Sequence, residues 1–408
     1  MKKILQVNVR LTEGGAAQVA LALHQGLDRD RFNSTFAYGY SKGVKRHVSE
    51  GAFRNVVMVG DRFSTAFLFA QNRLIGSDPS FPNTPSLSRL KSLAEHSDLV
   101  HLHVIHSYFL QYRQFLTALE RLGKPIVWTL HDHWAVTGRC AFLDGCDSWK
   151  DGCGRCKSGE NYPPSILDFS RRERATRQSE LTNISSQCTY VSPSEHLLND
   201  FRSVFPNCKC ARIPNSISSS IEERLKPISD LAASGCIRDD TTTPIHLLVV
   251  AHDLAYAGKT NHALIERVIR FSGVKLTTIG KNSPFTGPNV LNLGELHDRS
   301  RLVDEYTKAD ALLFTSKVDN FPLTICEALC CGLPVLATDS PAAGEVLNYV
   351  GAASLSEEAF VRCIQNSTWT REITAYSDRQ SLASTARNAF SSKAMVSAYQ
   401  DLYSRLLG

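Results

Sequence analysis

A chain of 408 residues is longer than one ordinary hydrophobic core supports, so two domains of about 150 to 200 residues each are expected. With 43% apolar and 21% charged residues the composition is globular, and a formal net charge of +5 is too mild to indicate nucleic acid, so no such partner is expected. No run suits a membrane span, and the opening "MKKILQVNVRLTEGG" loses its apolar stretch at Gln6, Asn8 and Arg10, too early for a secretory signal. A cytoplasmic location is therefore expected, with a peripheral contact at the inner face of the membrane as an option.

In chain order, "KILQVNV" reads as a strand, Gly14 and Gly15 as a turn, and "AAQVALALHQGL" as a helix. Further short strand-like runs follow at "STFAYGY", "NVVMVG", "LVHLHV", "PIVWTL", "CTYVS" and "ARIPN", separated by helical stretches; residues 62–90 are ambiguous. The segment from Ser216 to Thr243 is rich in Ser, Pro and Thr and reads as a linker. Alternation then resumes with "IHLLVVA", "VKLTTIG", "NVLNLG", "DALLFTS" and "PVLAT". Parallel βα units in two halves predict an α/β protein: a domain over 1–215, a linker over 216–243, and a second domain over 244–390. A C-terminal helix over 391–408 is expected to pack back on the first domain. Two such sheets place a cleft between them, and ligands of open α/β sheets bind beyond the carboxyl ends of the strands.

Several stretches at those strand ends carry chemistry. Gly14 and Gly15 allow close backbone approach at a helix start that favours anions, although an ordinary turn has the same composition. "AGKT" lacks the earlier glycine of a phosphate loop, since Asp253 stands there, so a nucleotide triphosphatase is rejected; Lys259 still lies between a strand and a helix as a point charge for a phosphate. "HLHVIH" and "TLHDHW" place His101, His103, His106, His131 and His133 at two strand ends, with His103, Asp132 and Asn215 as cleft-wall candidates. The loop 138–158, "GRCAFLDGCDSWKDGCGRC", carries Cys140, Cys146, Cys153 and Cys156. In a cytoplasmic chain these read as ligands of a structural zinc before disulfides or free thiols. The basic run "RRERATR" at 171–177 suits either a membrane contact or a solvated helix face.

"DNFPLTICEAL" follows a buried strand. Asn320 is expected to cap a helix whose first turn holds Pro322, leaving the N–H groups of Leu323 and Thr324 for phosphate oxygens. Asp319 and Glu327 flank that helix start as acceptors for sugar and ribose hydroxyls.

The stretches "LTEGGAAQVAL", "VWTLHDHWAVTGRCAFLDGC", "AHDL" with "GKTN", and "VDNFPLTICEAL" together resemble the retaining glycosyltransferases of the GT-B fold, family 4, over most of the chain. The resemblance implies two Rossmann-like doubly wound domains facing each other across a cleft. It also implies transfer of a hexose from a UDP- or GDP-linked sugar to a lipid-linked oligosaccharide acceptor in exopolysaccharide or capsule biosynthesis. By the family's pattern His131 faces the transferred sugar, Asp319 holds sugar hydroxyls, Glu327 holds the ribose and Lys259 binds phosphate. Gly14 and Gly15 form the glycine loop, and Asn320, Phe321, Pro322, Leu323 and Thr324 form the donor loop. Position 319 carries Asp where the family usually has Glu, and no Arg precedes Lys259 in 253–257. No catalytic metal is expected. A sugar-nucleotide epimerase or a phosphorylase on the same fold, or a non-catalytic carbohydrate-binding scaffold, are the competing readings.

Overall fold

Short runs of Val, Ile and Leu with little alternation are the pattern of parallel strands covered on both faces. The computed structural model describes residues 1–40, 53–76, 84–156, 162–231, 244–366 and 378–408, and there these runs form two all-parallel sheets. The chain divides into two units, Met1–Pro214 with Met395–Gly408, and Asn215–Ala394.

The sheet of the first unit has seven strands: β1 (Lys2–Asn8), β2 (Phe32–Tyr38), β3 (Val56–Met58), β4 (Leu99–Leu102), β5 (Ile126–Thr129), β6 (Cys188–Ser192) and β7 (Lys209–Arg212). Their spatial order is β3-β2-β1-β4-β5-β6-β7, so the order reverses at β1, between β2 and β4. The ambiguous stretch after residue 62 forms the helices Arg62–Ile75 and Pro85–Glu95. The second unit has five strands, β8 (Ile245–Asp253), β9 (Val274–Lys281), β10 (Val290–Asn292), β11 (Ala311–Phe314) and β12 (Val335–Ala337), in the order β10-β9-β8-β11-β12. Here the reversal falls at β8, between β9 and β11. Both reversals are switch points of the kind where doubly wound sheets hold ligands.

The C-terminal helix Ser392–Leu407 carries Tyr399 and Tyr403 into the first unit, where both are buried. Tyr403 Oη lies 2.5 Å from His101 Nδ1, and Tyr399 Oη 2.7 Å from Thr129 Oγ1. Burial of each ring stabilises the docking by on the order of 2 kcal/mol.

Two expectations need correction. Residues 216–231 are not a free linker: Ile217 and Ile221 belong to the core of the second unit, and Leu231 is buried. Residues 232–243 lie outside the described ones. The basic run 171–177 is only partly a basic surface, since Arg171 and Arg172 alone among its arginines are exposed. It lies on the helix Ser170–Asn183, with Glu173, Arg174 and Arg177 buried. Arg177 donates to the carbonyls of Trp134 and Thr137 and covers the Trp134 ring at 3.7 Å, while Glu173 pairs with Arg113 at 2.6 Å. Arg177 thereby holds the loop that follows β5, because its carbonyls have no strand partner to satisfy them.

Candidate active site

In the second unit the geometry starts from the adjacency of β8 and β11. The loop after β8 is tied to the loop after β11: Lys317 N donates to Gly258 O at 3.0 Å, and Asn261 N to Thr315 Oγ1 at 2.9 Å. A Cβ at Gly258 would stand 2.8 Å from the exposed Tyr256 ring, which would turn aside to admit it. This brace sets Lys259 against Asp319, and the two form an ion pair with side chains 29% and 20% exposed. The sequence places Lys259 toward a phosphate and Asp319 toward a sugar; the structure pairs them with each other.

The helix Leu323–Cys330 follows directly. Asn320 does not cap it. Pro322, extended at φ −73° and ψ 99°, occupies the cap position and no side chain caps the helix, so it starts two residues later than expected. Leu323 and Thr324 are partly exposed while Asn320, Phe321 and Pro322 are buried. An uncapped start with its dipole attracts anions. One turn on, Glu327 is 9% exposed and accepts from Tyr306 Oη at 3.0 Å. Burial pushes its carboxyl up to about 7, against the Tyr306 hydrogen bond and the Arg299 charge, which pull it down. Asn215 is buried at the start of this unit.

In the first unit β4 and β5 are neighbours, and their ends carry the histidines. His103 and His131 meet, Nδ1 to Nε2, at 3.1 Å with rings stacked, and His101 lies 4.0 Å from His103 between ring centres. Burial holds His131 down at about 4, so it is neutral near pH 7. Asp132 accepts from Trp134 N at 2.9 Å and pairs with His106 Nε2 at 2.9 Å. Gly14 precedes the helix Gly15–Gly26 at φ 91°, a left-handed value that favours glycine, and no side chain caps that helix.

His106, already placed at a strand end by "HLHVIH", gains its partner Asp132 only in the fold. Tyr306 has no sequence signal at all, since a separate helix, Arg299–Lys308, delivers it to Glu327.

The four loop cysteines are half-buried and unpaired. Among the described residues no group of three or more His, Cys, Asp or Glu stands in metal-holding geometry. Burial raises the Cys140 thiol to about 11, and Cys156, Cys153 and Cys146 lie close enough to add to that rise.

The model of Glycosyltransferase Family 4 matches residues 13–220, and that of glycosyl transferases group 1 matches residues 285–357. A protein of Escherichia coli (strain K12), assigned as the colanic acid biosynthesis glycosyl transferase WcaC, is 40% identical over 417 residues, covering 99% of this chain and 100% of that one. Among solved structures, a glycosyltransferase from Rickettsia africae aligns with TM-score 0.66 at 13% identity, covering 100% of this chain and 98% of that one. Anabaena Alr3699/HepE in complex with UDP aligns with TM-score 0.65 at 16% identity, over 99% and 100% of the two chains. These two share the fold with this chain. The two parallel-sheet units are of the GT-B class, and the chain belongs to glycosyltransferase family 4 and is a glycosyltransferase.

Proposed function

We propose that this enzyme takes a hexose from a UDP- or GDP-linked sugar and transfers it, with retention, to a lipid-linked oligosaccharide in the assembly of an exopolysaccharide of the colanic-acid kind. One observation carries the donor part: Lys259 pairs with Asp319 where β8 and β11 adjoin, an uncapped helix start follows Asp319 in the chain, and Glu327 lies one turn into that helix. A cation and open N–H groups suit a diphosphate, and two carboxylates suit hydroxyls on either side of it. Anabaena HepE, with its bound UDP and UDP-glucose, and the WcaC relative support a nucleotide sugar and a polysaccharide product.

In this mechanism the diphosphate departs as the leaving group, and Lys259 with the helix N–H groups neutralises the charge that develops on it. The acceptor hydroxyl attacks from the same face, and a phosphate oxygen takes its proton. His131, neutral, contacts the transferred sugar. Asp319 stays beside Lys259 and accepts from sugar hydroxyls. The exposed Phe63, Phe67 and Leu74 on the helix Arg62–Ile75 support an apolar contact for a lipid-linked acceptor at a membrane surface. Among the described residues no helix is long and apolar enough to cross a membrane.

A panel of nucleotide sugars in a thermal-shift assay tests the donor reading. One UDP- or GDP-hexose is expected to raise the melting temperature in a dose-dependent way, as any ligand selective for the folded state must. A flat response across the panel overturns it.

A structural zinc on Cys140, Cys146, Cys153 and Cys156 is the second proposal; it is supported by four cysteines within one loop, and it requires the thiols to draw together, since as they stand they do not form a metal-holding group. Four thiolates leave a zinc no open position, so it would staple the loop and take no part in transfer. Elemental analysis of freshly purified protein is expected to find about one zinc per chain, lost when Cys153 and Cys156 are both replaced by Ser. Metal-free protein with four titratable thiols rejects it.

A further inference from the structure

A helix on the surface of a folded unit ordinarily turns its apolar stripe inward. The helix Arg62–Ile75 does the opposite. Phe63, Ala66, Phe67, Ala70 and Leu74 recur at helical spacing on one face, and all five are exposed, Phe63 at 90%. Leu68 is its one buried residue. Where this helix ends, a second apolar segment runs beside it: Ile166 N donates to Arg73 O at 2.8 Å and Leu167 N to Leu74 O at 2.9 Å. Ile166, Leu167 and Phe169 are exposed in turn. Among the described residues thirteen large apolar side chains are exposed, and eight of them fall within 63–74 and 162–169, so they form a patch and not the usual scatter.

Positive charge frames this patch. Arg62 at the helix start, and Arg171 and Arg172 just beyond Phe169, are exposed. The two acids within 61–75 and 162–172 are turned to the backbone: Asp61 accepts from Ser64 N at 2.8 Å, and Asp168 from Cys156 N at 2.8 Å and Ser170 N at 3.0 Å. The patch also borders the ligand edge of the first sheet. Phe69 meets the Tyr108 ring edge-on with centres 5.1 Å apart, and Tyr162 Oη lies 2.5 Å from Ser107 Oγ, both in the loop that follows β4 and carries His106.

We infer that the helix Arg62–Ile75 and the segment 162–172 form one docking surface for an anionic phospholipid bilayer. The helix lies in the plane of the interface, with Phe63, Phe67 and Leu74 at the acyl chains and the three arginines at the lipid phosphates. Apolar burial and attraction to phosphate then add, as for any helix that lies in an interface. A twofold contact between two copies of the chain would bring these arginines together, whereas lipid phosphates neutralise them. This names a second segment and a lipid class for the proposed membrane contact. Its purpose, presenting a lipid-linked acceptor to the end of β4, rests on that reading; the surface itself rests on exposure and charge.

The test is co-flotation of the full chain, without donor or acceptor, with vesicles of phosphatidylcholine alone or mixed with phosphatidylglycerol. Binding to the mixed vesicles is expected, weakening as salt rises. Replacing Arg171 and Arg172 together by Gln should lower partitioning roughly 10–30-fold, and replacing Phe63 and Phe67 together by Ser at least about tenfold. All four side chains are exposed, so both variants should melt as the wild type does. Leu291→Ser, at an exposed leucine of the second unit, should change nothing. Absence of flotation with the anionic vesicles overturns the docking surface, as does undiminished flotation of either double variant. Concentration-dependent dimers in sedimentation, lost in the Phe63 and Phe67 variant and accompanied by no vesicle binding, assign the patch to a second copy instead. Protein that binds a nucleotide sugar but ignores vesicles loses this surface alone. Protein that floats but binds no nucleotide sugar keeps it, so the two failures are told apart.

Discussion

Lys259→Ala is expected to lower kcat by roughly 10²–10³-fold, the cost of removing one preorganised group that stabilises developing negative charge. The structure sharpens this expectation in two ways. Lys259 is held by the brace between the loops after β8 and β11, so its ammonium is in place before a donor arrives. It is also paired with Asp319, and both side chains are partly exposed, so losing the pair should cost the fold at most about 1 kcal/mol. Catalytic loss and instability are thereby separable. Steady-state rates with the donor found by thermal shift, beside a melting curve of the same variant, make the measurement. Lys259→Arg keeps the charge but not the compact geometry, and should fall between the two. A folded Lys259→Ala enzyme with undiminished kcat removes Lys259 from the mechanism.

Glu327→Ala should weaken donor binding by about 1 to 3 kcal/mol, the size of a lost charge-assisted hydrogen bond. Here pH adds a second arm. Accepting from two ribose hydroxyls requires the carboxylate, but burial lifts the Glu327 carboxyl to about 7. Donor affinity should therefore be full above pH 7 and decline as pH falls through about 7. Stability runs the other way. The folded state keeps this proton at a pH where an unfolded glutamate has already lost it, so the contribution is complete below about 4.5 and is lost as pH rises through 7. Glu327→Gln, which still accepts from Tyr306, should flatten both profiles. Calorimetric donor titrations and melting curves at pH 6, 7 and 8 read them. Affinity independent of pH in the wild-type enzyme, with Glu327→Gln binding equally well, refutes a ribose contact.

Much of this was legible in the sequence, for reasons specific to certain residues. The run "DNFPLTICEAL" shows its chemistry locally, because Asp319, the helix start and Glu327 lie within one short segment whose geometry follows from helical rise. "KILQVNV" and "IHLLVVA" announce parallel strands, because burial on both faces leaves little room for alternation. Where reading failed, a distant partner had intervened. "RRERATR" looks like one charged surface until Arg177 is seen serving carbonyls some forty residues away in the chain. Ser216 to Leu231 looks like linker by composition, but Ile217 and Ile221 find a core that composition does not display.

The sequence by itself determined the two-sheet α/β class, the strand-end positions of Lys259, His131 and Asp319, and the family, because these depend on local periodicity and short motifs. Only the tertiary structure decided the partners. It paired Lys259 with Asp319, brought Tyr306 to Glu327, and set His103 against His131. Each of these is a contact between residues on different elements, set by strand order and register, and neither is encoded in any single stretch of chain.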